Sequence, residues 1–303
     1  RFTVPVEWKG RRVILRFDTV HAGTRYWVNG HELGRTEHLF TPVEWDVTEH
    51  VLYGSPNRLD MEMVVQTESE RLAHACGYAF HNLGGIPRSV RLFALPQTHL
   101  RSLSVRAGLT NGYRDGTFTV GTEIAGPDTK KATLRVKVAG ADIAFVGQMP
   151  AQSSHIHTLT CVVPRVRPWT PESPNLYEAV IELRVGGRVV ERVIRKIGFR
   201  TVEVRGSALL VNGKPVKLAG ACHHETYPLT GRADTARWAE TDVRLMKEAN
   251  LNYVRTSHYP PTEEFLEECD RQGMFAEVEA PFCWVGDEGF SSLRAILTPT
   301  SAM

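Results

Sequence analysis

The sequence predicts two antiparallel β-sandwiches followed by the opening of a parallel α/β unit, and three observations carry that prediction. Residues 1 to about 205 alternate apolar and polar side chains with the period of two that half-buried strands require. Asn-Gly and Gly-Gly dipeptides punctuate those runs and supply the positive φ angles of tight hairpins. After Gly206 the order becomes strand, helix, strand, helix, strand, which demands parallel pairing.

Taken in order, Val13, Leu15 and Phe17 alternate along a first strand, and Leu59, Met61, Met63 and Val65 along a later one. Asn29-Gly30 joins two strands between them. Pro96 closes the strand Val90 to Leu95 and opens a polar stretch, so a boundary is placed there and the first domain covers residues 1–96. A second strand set runs from about Leu100 to Val204, with hairpins at Asn111-Gly112 and Gly186-Gly187, giving a second domain over 97–204. Each block is the size of one β-sandwich.

The third region, 205–303, opens with a hairpin at Asn212-Gly213 and a strand near Pro215 to Ala219. Asp234 is placed to cap a helix with Trp238, Leu245, Met246 and Ala249 on its apolar face. Asn252 to Thr256 reads as a buried strand, and Thr262 caps a second helix with Glu263 and Glu264 at its positive end. Gly273 stops that helix, and Met274 to Glu279 forms the third strand. The region has fewer than half the ~250 residues of a complete eight-stranded α/β barrel. Three parallel strands also open smaller doubly wound sheets, but no GxGxxG or GxxxxGK[ST] is present, which removes support from dinucleotide and P-loop readings.

Composition excludes several function classes. The 303 residues are 42% hydrophobic and 23% charged, which is the globular average rather than a disordered one. Lys plus Arg number 36 against 34 Asp plus Glu, with no block of like charge, so no nucleic-acid partner and no anionic membrane surface is expected. No apolar run approaches the ~20 residues that cross a bilayer. Arg1 rather than Met opens the chain, so a preceding segment is expected. Five cysteines without a CxxC pair (Cys76, Cys161, Cys222, Cys269, Cys283) read as reduced thiols and favour a cytoplasmic compartment.

In a parallel barrel the chemistry sits at the carboxyl ends of the strands. There the sequence places His223, His224 and Glu225 after the first strand, Arg255 and His258 after the second, and Glu279 after the third. Any one of these could cap a helix or pair with a neighbour; their convergence at three successive strand ends favours a ligand site. His224, His258 and Glu279 also fit a His/His/carboxylate metal set, but no HExxH accompanies them. Cys222 is disfavoured as a nucleophile paired with His223, because adjacent side chains on an extended segment point apart. In the first domain Trp27 and Trp45 read as core, whereas Tyr78 and Phe80 lie in a Gly-containing stretch and are candidates for stacking on a sugar face.

The strings VNGKPVKLAGACHHETYPLTG (211–231), DVRLMKEANLNYVRTSHYP (242–260) and FLEECDRQGMF (265–275) strongly resemble the opening of the barrel in glycoside hydrolase family 2, which includes β-galactosidases, β-glucuronidases and β-mannosidases. TPESPNLY (170–177) and IGFRTVEV (197–204) resemble the edges of that family's immunoglobulin-like domain. WVNGHELG (27–34) and FHNLGGIPRSVRLF (80–93) resemble its jelly-roll sugar-binding domain. The resemblance implies a jelly roll, an immunoglobulin-like sandwich and the first part of a TIM barrel. It also implies a retaining glycosidase with a carbohydrate substrate, a β-glycoside, and no cofactor.

In that family the acid/base is the Glu of an Asn-Glu pair ending the fourth barrel strand, and the nucleophile lies near the seventh. This sequence has no Asn-Glu dipeptide, so neither catalytic carboxylate is expected within it and the chain is expected to be an inactive fragment. The resemblance carries over a supporting shell: His258 as the histidine touching sugar hydroxyls, Arg255 as the arginine orienting the nucleophile, His224 and Glu225 as the family His-Glu, and Glu279 as the acid ending strand three. Ala79 and Tyr227 depart from galactosidase-type positions, and Cys283 and Val285 stand where magnesium-using members have Glu and His, so no metal site is expected. The rival expectation is a non-catalytic carbohydrate-binding protein that keeps only the jelly roll. A three-stranded piece of barrel would leave a bare sheet edge, and a homo-oligomer is an expected consequence.

Overall fold

The structure, a computed structural model, describes residues 1–20, 23–37, 40–64, 67, 69, 85–138, 143–148, 157–233 and 235–280. The expectations resting on Val65, Cys76, Tyr78, Ala79, Phe80, Asp234, Cys283 and Val285 lie outside the described residues.

The first unit is built from strands β1 (Arg12–Phe17), β2 (Thr24–Val28), β3 (His31–Thr36), β4 (Val43–Asp46), β5 (Leu59–Met63) and β6 (Val90–Leu95). They form two three-stranded antiparallel sheets, β4-β1-β6 and β3-β2-β5. Val13, Leu15 and Phe17 point into the space between the sheets with Tyr26, Val28, Val43 and Val47. Tyr26 is the core aromatic on β2; Trp45 packs on it with ring centroids 5.3 Å apart, while its neighbour Trp27 is only half-buried. The β2–β3 hairpin turns on Asn29 (φ 50°) and Gly30 (φ 84°), the left-handed pair that a two-residue loop needs.

The second unit contains β7 (His99–Thr110), β8 (Asp115–Ala125), β9 (Ala132–Val138), β10 (Ile143–Gln148), β11 (His157–Val163), β12 (Tyr177–Val185) and β13 (Arg188–Ile197). Sheet β11-β8-β7 faces sheet β10-β9-β12-β13, the three-plus-four arrangement of an immunoglobulin-like sandwich. Along β9, Ala132, Leu134, Val136 and Val138 are buried and the residues between them are not, so strict alternation delivers one face to the core. Burial of each of the three larger ones, Leu134, Val136 and Val138, contributes about 1.5–3 kcal/mol. The β7–β8 connection is longer than the two residues expected: Thr110 pairs with Asp115, and Asn111, Gly112 and Tyr113 all take positive φ. Asp115 accounts for the difference, since it accepts from Asn111 Nδ2 (2.7 Å) and from the Arg165 backbone (2.9 Å).

The third unit starts with the antiparallel strands β14 (Val202–Arg205), β15 (Ala208–Val211) and β16 (Lys214–Pro215). Strands β17 (Gly220–His223), β18 (Tyr253–Thr256) and β19 (Phe275–Val278) then pair in parallel, linked by helices α1 (Ala239–Glu248) and α2 (Glu263–Gln272). The first parallel strand thus lies at 220–223, beyond the Pro215 to Ala219 expected, and His223 is its last residue. Helix α1 buries Ala239 and Val243; Leu245, expected inside, is 52% exposed. Helix α2 ends at Gly273 in the left-handed conformation (φ 83°), its N–H returning to the Cys269 carbonyl. The thiols of Cys161, Cys222 and Cys269 are free. Among the described residues no helix is long and apolar enough to cross a membrane.

Both sandwiches grip the barrel segment. Trp169, buried in the immunoglobulin-like unit, donates its indole N–H to the Asp270 carbonyl (2.8 Å), and Lys247 of α1 donates to the Pro171 carbonyl (3.0 Å). The jelly roll reaches the start of α2 through Arg16 to Glu263 (3.0 Å) and Arg91 to Glu264 (2.9 Å).

Candidate functional site

Parallel pairing of β17, β18 and β19 brings His223, Thr256 and Val278 to the same end of the sheet, and the residues that follow them form the site. Arg255 on β18 and Glu279 just past β19 meet there: Arg255 Nε–H donates to Glu279 Oε1. His258, across a cis Ser257–His258 peptide, donates from Nδ1 to Glu279 Oε2 at 2.8 Å. The Glu279 backbone N–H donates to Thr256 Oγ1 at 3.2 Å. One carboxylate is therefore held by an arginine and a histidine. Burial alone would push the Glu279 carboxyl up, but the bonds from His258 and Arg255 outweigh it and hold the group below the usual carboxylate range. The Arg255 guanidinium is raised in turn, chiefly by its bond to Glu279.

His224 stands edge-on to His258, ring centroids 5.5 Å apart. Burial, followed by the nearby His258 and Arg232, pushes its imidazole below the ordinary 6.5, so it is neutral at pH 7 and has both a donor and an acceptor. Beneath it, His223 Nε2 donates to Asp242 Oδ2 at 2.9 Å and its ring stacks on Phe265 at 4.5 Å. Tyr227 donates its hydroxyl to the same Asp242 oxygen and stacks on Trp238. Burial and that bond push the Tyr227 phenol well above 10, so it stays a donor.

Glu225 is placed differently from its companions. Only 5% exposed, it accepts from Arg88 Nη2 at 2.8 Å, from the Thr262 N–H at 2.9 Å and from the Thr262 hydroxyl at 3.0 Å. Its carboxylate is occupied by protein and faces the jelly roll rather than the sheet end. Thr262 likewise makes no side-chain cap on α2, because its hydroxyl is used on Glu225. The structure thus brings Arg255, His258, Glu279 and His224 together and sets Glu225 apart as a support. Arg88 and Asp242 were not singled out by sequence reasoning. Both lie inside strings quoted above, Arg88 in FHNLGGIPRSVRLF and Asp242 at the head of DVRLMKEANLNYVRTSHYP, but nothing local to either marks a long-range partner.

Among the described residues no group of three or more His, Cys, Asp or Glu side chains is arranged to hold a metal ion. With Arg255 and His258 on its two oxygens, Glu279 anchors two donor side chains, and the Arg255 guanidinium and the His258 ring, not the carboxylate, are the groups suited to hydroxyls and to an incoming carboxylate.

Two β-sandwiches precede the opening strands of a parallel α/β barrel, and fixed polar groups gather at the ends of those strands. Three models of one family match the chain in succession: the sugar-binding domain of glycosyl hydrolases family 2 over residues 1–96, glycosyl hydrolases family 2 over 98–200, and its TIM barrel domain over 202–289. The chain belongs to glycosyl hydrolase family 2. It is 34% identical over 285 residues to a β-galactosidase of Priestia megaterium, a match covering 90% of this chain and 27% of that protein. It is 31% identical over 279 residues to a β-galactosidase large subunit of Latilactobacillus sakei, covering 89% of this chain and 42% of that one. Among solved structures, the β-glucuronidase of Ruminococcus gnavus superposes with a TM-score of 0.80 at 27% identity, over 92% of this chain and 48% of that one. The chain therefore spans less than half the length of each of these relatives.

Proposed function

We propose that this chain supplies the sugar-side shell of a retaining β-glycosidase, and that Arg255, His258, Glu279 and His224 are its working residues. The observation that carries the reading is the Glu279 carboxylate shared between Arg255 and His258 at the ends of adjacent parallel strands. In a retaining reaction one carboxyl protonates the leaving oxygen and a second, ~5 Å away, attacks the anomeric carbon. Neither of those groups is assigned to the 303 residues; in the family one ends the fourth barrel strand and the other lies near the seventh. The shell's part is to hold charge and hydrogen bonds in place before the reaction begins. Glu279 fixes the Arg255 guanidinium, which keeps an adjacent nucleophile ionised, and fixes the ring of His258 against the sugar hydroxyls. Neutral His224 offers one donor and one acceptor to the same hydroxyls. Groups fixed in this way need no reorganisation as charge develops on the sugar ring, so their bonds strengthen in the transition state.

The substrate class proposed is a β-galactoside or β-glucuronide, the sugars named for the relatives above. We divide the chain at 1–96, 97–204 and 205–303, following the three separate apolar cores. The test is calorimetric titration of methyl β-D-galactoside and methyl β-D-glucuronide into the full chain and into His258→Ala, together with an assay on the aryl glycosides. Saturable binding lost in His258→Ala, without turnover, is the expected result. Binding untouched by His258→Ala would place the sugar on the jelly roll alone and support a carbohydrate-binding protein instead.

A further inference from the structure

We propose that Arg88, a jelly-roll residue, is a positioning residue for the two histidines at the barrel strand ends. Its Nη2 makes two bonds: one to Glu225 Oε2 at 2.8 Å and one to the Pro260 carbonyl at 2.7 Å. Glu225 directly follows His224 in the segment leaving β17, and Pro260 lies two residues past His258 in the segment leaving β18. A single nitrogen from another domain thus ties together the two segments whose histidine rings meet at 5.5 Å.

The surroundings make this tie rigid. The Arg88 and Glu225 side chains are only 10% and 7% exposed, so water screens the pair little. The second Glu225 oxygen takes both Thr262 donors, which fixes the start of α2 in the same arrangement. The Glu225 N–H donates to the Tyr259 hydroxyl at 2.8 Å, joining the two segments a second time. Phe40, also from the jelly roll, stacks on the Tyr259 ring at 4.6 Å and lies under the Arg88 guanidinium at 5.4 Å. Every residue from His258 to Pro260 is therefore bound to a neighbour that Arg88 or Phe40 also touches, or to Glu279. The flanking pairs Arg16–Glu263 and Arg91–Glu264 join the same two domains, but Glu263 and Glu264 are 67% and 40% exposed and hold no histidine-bearing segment.

This proposal rests on reading His224 and His258 as sugar-side groups, and its test contains no sugar, so the two stand or fall separately. The full chain is prepared with ¹³C-labelled histidine, and ring Cε1–H spectra are recorded for the wild type, Arg88→Lys, and the double variant Arg88→Leu, Glu225→Gln. Lysine keeps the positive charge that buried Glu225 needs, but its shorter side chain draws the nitrogen back from the Pro260 carbonyl. The double variant removes both charges together and leaves neither orphaned. In both, the His224 and His258 signals are expected to move and their mutual ring cross-peak to be lost. The signals of His31 and His50, stacked in the jelly roll at 4.8 Å, are expected to stay, with the melting temperature of Arg88→Lys within a few degrees of wild type. Unmoved His224 and His258 signals in folded Arg88→Lys would overturn the proposal and reduce Arg88 to an interdomain fastening. The same conclusion follows if only the double variant moves them, since charge loss alone would then account for the change.

Discussion

His258, Arg255 and Glu279 were legible in the sequence because each sits at or just past the end of a strand whose parallel order the strand–helix alternation reveals. Glu225 was only half legible. Its partner Arg88 is 137 residues away in another domain, and no local pattern announces a contact of that range. The electrostatics of these residues fix how stability responds to acid. The folded Glu279 carboxyl lies below its ordinary 4.5, so its contribution is complete above about 4.5 and is lost as pH falls through the depressed value. His224, held below 6.5, acts with the same sign, because between its folded value and 6.5 the unfolded chain binds more protons. The melting temperature is expected to fall as pH drops below about 6.5, through His224, and to fall again below about 4.5, through Glu279. Glu279→Gln should flatten the lower part of that profile and His224→Asn the upper part, and an unchanged profile in both variants would contradict the assignment.

At the scale of elements, the hairpins at Asn29-Gly30, Gly186-Gly187 and Asn212-Gly213 were readable because each pair takes two positive φ angles that few other residues tolerate. The turn after Thr110 was misjudged in length, since the Asp115 side chain that shapes it lies beyond the dipeptide. Helix α1 shows a second limit. Leu245 satisfies the helical period, yet the helix begins at Ala239 and packs on α2 through Val243 and Ala239, which turns Leu245 outward. Phe265 of α2 fills the space between them and also carries the His223 ring. Phe265→Ala is expected to cost about 3–5 kcal/mol in urea unfolding, whereas Leu245→Ala should stay within about 0.5 kcal/mol. A large loss at Leu245 would show that this face is covered.

Over the whole molecule, three apolar cores are joined by polar and aromatic contacts of unequal strength. Removing Arg91 breaks an exposed pair with Glu264 and one with the largely buried Asp18, which keeps its shorter bond to Arg16 (2.7 Å), and is expected to cost less than about 1 kcal/mol. Removing Arg88 alone strands a buried carboxylate, and Arg88→Leu is expected to cost about 3–5 kcal/mol. Equal costs would mean that Glu225 is not desolvated by the interface. The order of domains was legible from strand counts and turn chemistry, while the way the jelly roll reaches into the barrel was not, because it is built from side chains scattered over residues 16 to 91. The central claim is that the barrel strand ends, rather than the jelly roll alone, receive the sugar. Titrating methyl β-D-galactoside and methyl β-D-glucuronide into the ¹³C-histidine-labelled chain tests it most directly. Saturable movement of the His258 and His224 signals by one of the two sugars, with His31 and His50 unmoved, is the result predicted; saturable movement confined to His31 and His50, or none with either sugar, would contradict it.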